Sequence, residues 1–250
     1  MIRQAVRIRC SEIWGGIRNV DLDMVTTGLE ISLYSRSCNG GKGGDIYYFS
    51  VCGDDALTRA ALADVVGHGE SVTPISQWMY DSLAERMNSL EGNQILADLN
   101  RSMARQGVES MTTAAIVSYY AVTSTLYVSL AGHPPPLLRR KADRTWRPIG
   151  IPEKPGLVNI PLGLPVSGGY DQDEFPLYRG DCLALYTDGL TEAPDDSGNQ
   201  FGDSRLLEVL NTSGSATVSE MKEALLSALF AHSGGLSDQD DMTVMLMEVR

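Results

Sequence analysis

The order in which two hydrophobic periodicities follow one another constrains this chain most. Residues 28–37 alternate around Leu29, Ile31, Leu33 and Tyr34, and 45–51 follow a glycine-rich turn, so both segments read as strands. Residues 56–66 read as a third. The period then changes. Ile75, Met79, Leu83 and Met87 recur on one helical face behind Pro74, and Ile95, Leu96, Leu99 and Met103 mark a second helix beyond Gly92. Strand patterns return at 111–122 and 125–131, joined by a hairpin at Thr123-Ser124. His133-Pro134-Pro135-Pro136 cannot continue a central strand, so the chain turns there or runs along an edge. Short strands near 137–140 and Trp146 precede a long Pro- and Gly-rich loop over 148–169. A compact strand at 183–187, helices near 206–210 and 221–230, and a strand at 242–249 follow. This succession predicts an α+β layered domain and excludes a doubly wound nucleotide fold, which needs alternating strands and helices. With no linker, low-complexity tract or internal repeat, one domain over 1–250 is expected.

Charge narrows the partners. The chain carries 32 acidic and 20 basic residues, a formal net charge of −12. Affinity for nucleic acid or an anionic membrane face rests on clustered Lys and Arg, so neither partner is expected. No stretch approaches the roughly 20 apolar residues that span a bilayer. Residues 1–10 alternate Arg3, Arg7 and Arg9 with apolar residues and form no signal-peptide core. Cys10, Cys38, Cys52 and Cys182 are scattered without a CxxC, as idle or buried thiols of a reducing cytoplasm would be. Three histidines without HExxH argue against a histidine-built zinc site.

Acidic residues stand where strands meet turns: Asp45 after Gly43-Gly44, Asp64 before Val65-Val66-Gly67-His68-Gly69, Asp188 in Thr187-Asp188-Gly189, and Asp240-Asp241 before the last strand. Each alone is an ordinary turn residue, since Asp bonds its own backbone and Gly accepts positive φ. Together, gathered at one edge of a sheet core, such carboxylates would repel unless hydrated, protonated or bridged by metal. Hard divalent ions take oxygen ligands of this kind, and two of them about 4 Å apart can activate water for attack on phosphorus.

The segments GGKGGDIYYFSV (40–51), ALADVVGHGESV (61–72), TLYVSLAGHPPPLL (125–138), PLGLPV (161–166), GDCLALYTDGLTEA (180–193), FGDSRLLEVL (201–210) and DDMTVMLMEV (240–249) then occur in a telling order. In series they resemble the bacterial protein serine phosphatases of the stage II sporulation protein E type, a branch of the metal-dependent type 2C phosphatases. The resemblance spans about 28–250. It implies a four-layer αββα sandwich, two antiparallel β-sheets flanked by helices, with two Mn²⁺ or Mg²⁺ ions at one end. Matched residue by residue, Asp64 would bridge both ions, the Val65 carbonyl would complete one shell and Asp45 would support it. Asp188 and Asp240 would hold the opposite ion, Asp240 being preferred to Asp241 as first residue of its turn.

The resemblance further implies hydrolysis of phosphoserine or phosphothreonine by in-line attack, without a phosphoenzyme. His68 or a metal-held water would protonate the leaving alkoxide. His133 is expected to be structural. Arg36 and Lys42 are candidates for phosphate recognition, though neither aligns cleanly. The Gly40-Gly41-Lys42-Gly43 run is no phosphate loop, because Gly follows the lysine and a strand, not a helix, comes next. The expected partner is a phosphorylated protein, with an antagonist of an anti-sigma factor as the family's common substrate. Movement of the 75–106 helical pair is one route to control. A non-catalytic phosphoprotein-binding member and a small-molecule phosphomonoesterase remain the alternatives.

Overall fold

A computed structural model describes residues 5–67, 71–87, 89–106, 110–143, 145–150, 159–164, 168–214, 216–235 and 239–250. The strands in chain order are β1 (Val6–Arg7), β2 (Ile13–Arg18), β3 (Val20–Val25), β4 (Leu29–Arg36), β5 (Lys42–Cys52) and β6 (Leu57–Val65). Helices α1 (Thr73–Arg86) and α2 (Gly92–Gln106) follow. Then come β7 (Thr112–Tyr120), β8 (Thr125–Ala131), β9 (Leu137–Arg139), β10 (Trp146–Pro148), β11 (Asp173–Pro176) and β12 (Cys182–Tyr186). Helices α3 (Asp188–Thr191), α4 (Gly202–Thr212) and α5 (Val218–Ser233) precede the closing β13 (Met242–Val249).

Two sheets stack face to face. One runs β1-β3-β4-β13-β12-β9-β10, the other β11-β8-β7-β6-β5-β2. Every strand pairing is antiparallel except β1 against β3. Helices α1 and α2 cover the second sheet and α4 and α5 the first, giving the αββα sandwich. Because central strands are covered on both faces, they read as nearly unbroken apolar runs. Along β13, Met242, Val244 and Leu246 pack toward the helices while Met245, Met247 and Val249 pack between the sheets. Leu29, Ile31, Leu33 and Leu183 of the same sheet join them there, and Phe49, Leu62 and Val117 meet them from the facing sheet.

Local signals set the helix ends. Pro74 opens α1, where its missing N–H is no loss. Helix α5 begins with a capping box: the Thr217 side chain accepts from the Glu220 N–H, and the Glu220 carboxylate accepts from the Thr217 N–H at 2.8 Å. It ends at Gly234, whose φ of +65° is left-handed. The wholly buried Lys222 of α5 reaches across to β3, 2.6 Å from Asp21 and 3.5 Å from Asp23, tying the outer helix layer to the sheet. Among the described residues no helix is long and apolar enough to cross a membrane.

Several sequence expectations change in detail. Gly43 and Gly44 lie inside β5 rather than in the turn before it, which spans 38–41. The prolines after His133 neither turn the chain back nor follow an edge. They carry it from β8 in one sheet to β9 in the other. Strands β1, β2, β3 and β11 were not anticipated; they lie toward the sheet margins, where exposed residues interrupt the apolar pattern. Of the long loop, residues 151–158 and 165–167 fall outside the described part, while Leu162 bonds back to Thr112.

Candidate active site

The acidic residues converge because the strand registers bring their ends to one edge of the sandwich. Asp45 and Asp64 are direct partners on β5 and β6. Their neighbours Ile46, Ala63 and Val65 face the α1–α2 layer, so both carboxylates face the other sheet. Across the gap, β12 ends at Tyr186, Thr187 follows, and Asp188 opens the short α3. Beside it, Asp240 and Asp241 lead into β13.

A threonine relay joins the sheets. The Thr243 N–H donates to Thr187 Oγ1 at 2.9 Å, and the Thr187 hydroxyl donates to Asp45 Oδ2 at 2.8 Å. Asp241 is 2% exposed and already committed. Its Oδ1 accepts from the Cys38 N–H at 2.8 Å and its Oδ2 from the Gly44 N–H. It thereby clamps the turn before β5 onto the start of β13. The glycines are required there: a Cβ on Gly43 would stand 2.5 Å from the Asp241 carboxylate, and one on Gly44 2.9 Å from the Val65 carbonyl. Asp240 lies partly exposed beside it, its Oδ1 accepting from the Asp241 N–H at 2.8 Å.

Burial pushes the Asp45 carboxyl well above the usual carboxylate range, the Thr243 and Thr187 hydroxyls pull it down, and Asp241 and Asp240 push it up again. Asp64 is driven upward by burial and then by Asp45, Asp188, Asp240 and Asp241 in turn. Five carboxylates therefore share one field. Among the described residues, no three Asp, Glu, His or Cys side chains close on one point as a ready-made metal centre. The donors are nevertheless all oxygen, half or fully buried and mutually repelling, which fits a hard divalent cation.

The other candidates scatter. His68 lies outside the described residues. His133 is 5% exposed, its Nδ1 2.8 Å from Thr113 Oγ1 and its Nε2 without a hydrogen-bond partner. Burial lowers its pKa to about 3, so the imidazole is neutral, as a structural residue would be. Thr113 is the ladder partner of Asp64 on β7, so this pair braces the strand that carries Asp64. Arg36 ends β4 opposite Met242, beside the Tyr34 phenol. Lys42 pairs instead with Arg18 of β2. Together with Asn19, Gly40 and Pro74 they line a hollow of about 670 Å³ near the start of β5. A second hollow, about 460 Å³, lies between His133, Pro134, Asp188, Thr191 and Asp203. Sequence reasoning missed Arg18 and gave no role to Thr113, Thr187 or Thr243. The only signal was that Thr187 and Thr243 each stand within three residues of a candidate aspartate.

The chain resembles known proteins along most of its length. It is 29% identical over 159 residues to the phosphoserine phosphatase RsbU of Bacillus subtilis (strain 168), covering 62% of this chain and 44% of that protein. The chain thus spans under half the length of that relative. Among solved structures, the RsbU and RsbW domains of a Mycobacterium tuberculosis protein superpose with a TM-score of 0.77 at 22% identity, over 94% of this chain and 63% of theirs. The SiaA-PP2C domain of Pseudomonas aeruginosa gives 0.74 at 20% identity, over 87% of this chain and 85% of its own. Identities this low establish the shared fold. The sequence profile of the stage II sporulation protein E (SpoIIE) family matches residues 54–250, and on that match the chain belongs to this family of phosphatase domains.

Proposed function

We propose that the chain is a Mn²⁺- or Mg²⁺-dependent phosphatase of phosphoserine and phosphothreonine in proteins. The observation that carries this reading is the convergence of five carboxylates from two facing sheets, with Asp45 and Asp64 held above the ordinary range. Asp64, Asp45, the Val65 carbonyl, Asp188 and Asp240 would hold the ions, Asp64 lying centrally among the carboxylates that act on it. Both oxygens of Asp241 are taken by backbone N–H groups, which supports Asp240 as the ligand and Asp241 as its anchor. Bound divalent ions would supply an activated water and neutralise charge on the phosphoryl oxygens.

The chain's own groups do the rest. Thr187 orients Asp45 by donating to its Oδ2, and the Thr243 hydroxyl also acts on the same carboxyl. His133 and Thr113 hold the Asp64 strand in place. Arg18 and Lys42 offer guanidinium and ammonium donors to the phosphate or to acidic residues of an incoming protein. His68 is the proposed proton donor to the leaving alkoxide. The substrate class extends the phosphoserine phosphatase activity of RsbU, and an antagonist of an anti-sigma factor is the proposed physiological partner.

The test is turnover of p-nitrophenyl phosphate and of a phosphoserine protein in Mn²⁺ and in Mg²⁺, for wild type, Asp64→Asn and Asp188→Asn. Turnover lost in both variants supports the reading. Absent wild-type turnover on both substrates would make the chain a binding module, and activity confined to the free ester would make it a small-molecule phosphomonoesterase.

A further inference from the structure

At the opposite end of β12 and β13, roughly 25 Å from the carboxylates at about 3.3 Å per strand residue, lies a cavity of about 500 Å³. In a chain of net charge −12, its wall carries Arg139, Lys141, Arg179 and Arg250 against two carboxylates, Glu30 and Glu248. Among the described residues none of these six forms an ion pair. Elsewhere on the same surface the basic Arg140 is tied to Asp181 at 2.8 Å, so pairing is available nearby and these groups stand outside it.

The wall is built rather than incidental. Arg139 is 7% exposed; it donates to the Gly214 carbonyl at 2.5 Å and to Cys182 Sγ at 2.9 Å, and lies over the Trp146 ring at 5.5 Å. Its Nε is buried with no hydrogen-bond partner, an unspent donor on a fixed cation. Asp181, 4% exposed, accepts from the Lys141 N–H at 2.9 Å and the Tyr178 N–H at 3.0 Å, which locks the backbone on either side of Arg179 and beneath Lys141. Gly180 has a φ of +86°, and a Cβ there would stand 2.6 Å from Lys141 Cδ, so the lysine stem crosses directly over it. Glu30 and Glu248 are ladder partners on β4 and β13, two like charges set directly opposite.

We propose that this cavity binds a phosphorylated small molecule of mononucleotide size, its phosphate held by Lys141, Arg179 and the field of Arg139, and its hydroxyl or amino donors held by Glu30 and Glu248. An anion alone would leave the carboxylates opposed, whereas a ligand carrying both phosphate and donors satisfies both walls. The volume falls within the range of about 300–1,000 Å³ for small-molecule sites.

The test is calorimetric titration of the full chain, in EDTA at low salt, with adenosine monophosphate, ribose 5-phosphate and inorganic phosphate. Wild type and Asp188→Asn should bind the first two alike and phosphate about tenfold more weakly. A Lys141→Ala, Arg179→Ala double variant, chosen because both side chains are on the exposed rim and their loss spares the core, should weaken the nucleotide by at least about tenfold. Gly180→Ala should weaken it in the same direction. No binding by wild type, unchanged binding by the double variant, or binding lost in Asp188→Asn would each overturn the proposal. None of these readouts depends on phosphatase activity.

Discussion

Replacing Asp64 by Asn should abolish turnover and yet stabilise the metal-free protein. Burial and four neighbouring carboxylates raise the folded-state pKa of Asp64 far above its unfolded value near 3.9. For a carboxyl raised on folding, the unfolded chain gains by ionising at neutral pH and the native chain does not. Stability is therefore full below about pH 4 and falls as pH climbs toward the folded-state pKa. Holding the group protonated to pH 7 rather than 3.9 spans about three decades of proton activity at ~1.4 kcal/mol each, a ceiling of about 4 kcal/mol. Coupling to Asp45 lowers the realised figure to about 2–4 kcal/mol. The nearly isosteric amide removes the ionisation without opening a cavity. In EDTA at pH 7.5, Asp64→Asn should melt roughly 5–10 °C above wild type, and the gap should shrink toward zero near pH 4. Saturating Mn²⁺ should reverse the order, since two ions, each at 100 times its Kd, together add about 5.4 kcal/mol to whichever protein binds them. The assay is scanning fluorimetry over pH 4–8, with and without Mn²⁺. A variant less stable than wild type in EDTA at pH 7.5, or a gap that does not vary with pH, would refute the electrostatic reasoning.

Three further outcomes follow from the same geometry. Thr187→Val removes the hydroxyl that donates to Asp45 and should cost about 1.5–3 kcal/mol, measured by urea unfolding, together with a weaker Mn²⁺ midpoint by fluorescence titration. His133→Ala leaves a buried hole beside Thr113 and should cost about 2–4 kcal/mol by the same unfolding assay; a surface-like loss below about 0.5 kcal/mol would contradict its placement against the Asp64 strand. Lys222→Ala removes the buried cation that ties Asp21 and Asp23 to the α5 layer and should cost about 3–5 kcal/mol, with catalytic constants of the surviving folded protein unchanged.

What the sequence disclosed depended on how local the cause was. Central strands such as β13 were legible because burial on two faces writes itself as an apolar run, and α2 because Ile95, Leu96, Leu99 and Met103 keep a helical face. The aspartates were legible because each terminates such a run. Strands β1, β2 and β3 were not, since their exposed positions break the pattern and their pairing partners lie elsewhere in the chain. Gly43 and Gly44 read as a turn, the commonest use of glycine. Their actual reasons, the Asp241 carboxylate pressed against Gly43 from nearly 200 residues away and the Val65 carbonyl against Gly44, have no local signature.

The sequence by itself therefore determined the layer architecture and the chemical kind of the site: oxygen donors at strand ends, in a series shared with one phosphatase family. Only the tertiary structure decided which carboxylates face one another and which are spent on backbone N–H groups. It also made Thr187 and His133 part of the frame, and placed Arg18 beside Lys42 and Arg179 beside Lys141. The physical reason is that periodicity and turn chemistry act over a few residues and are written in order along the chain. Charge repulsion, burial and hydrogen bonding act through space, and only the register of two packed sheets sets those distances.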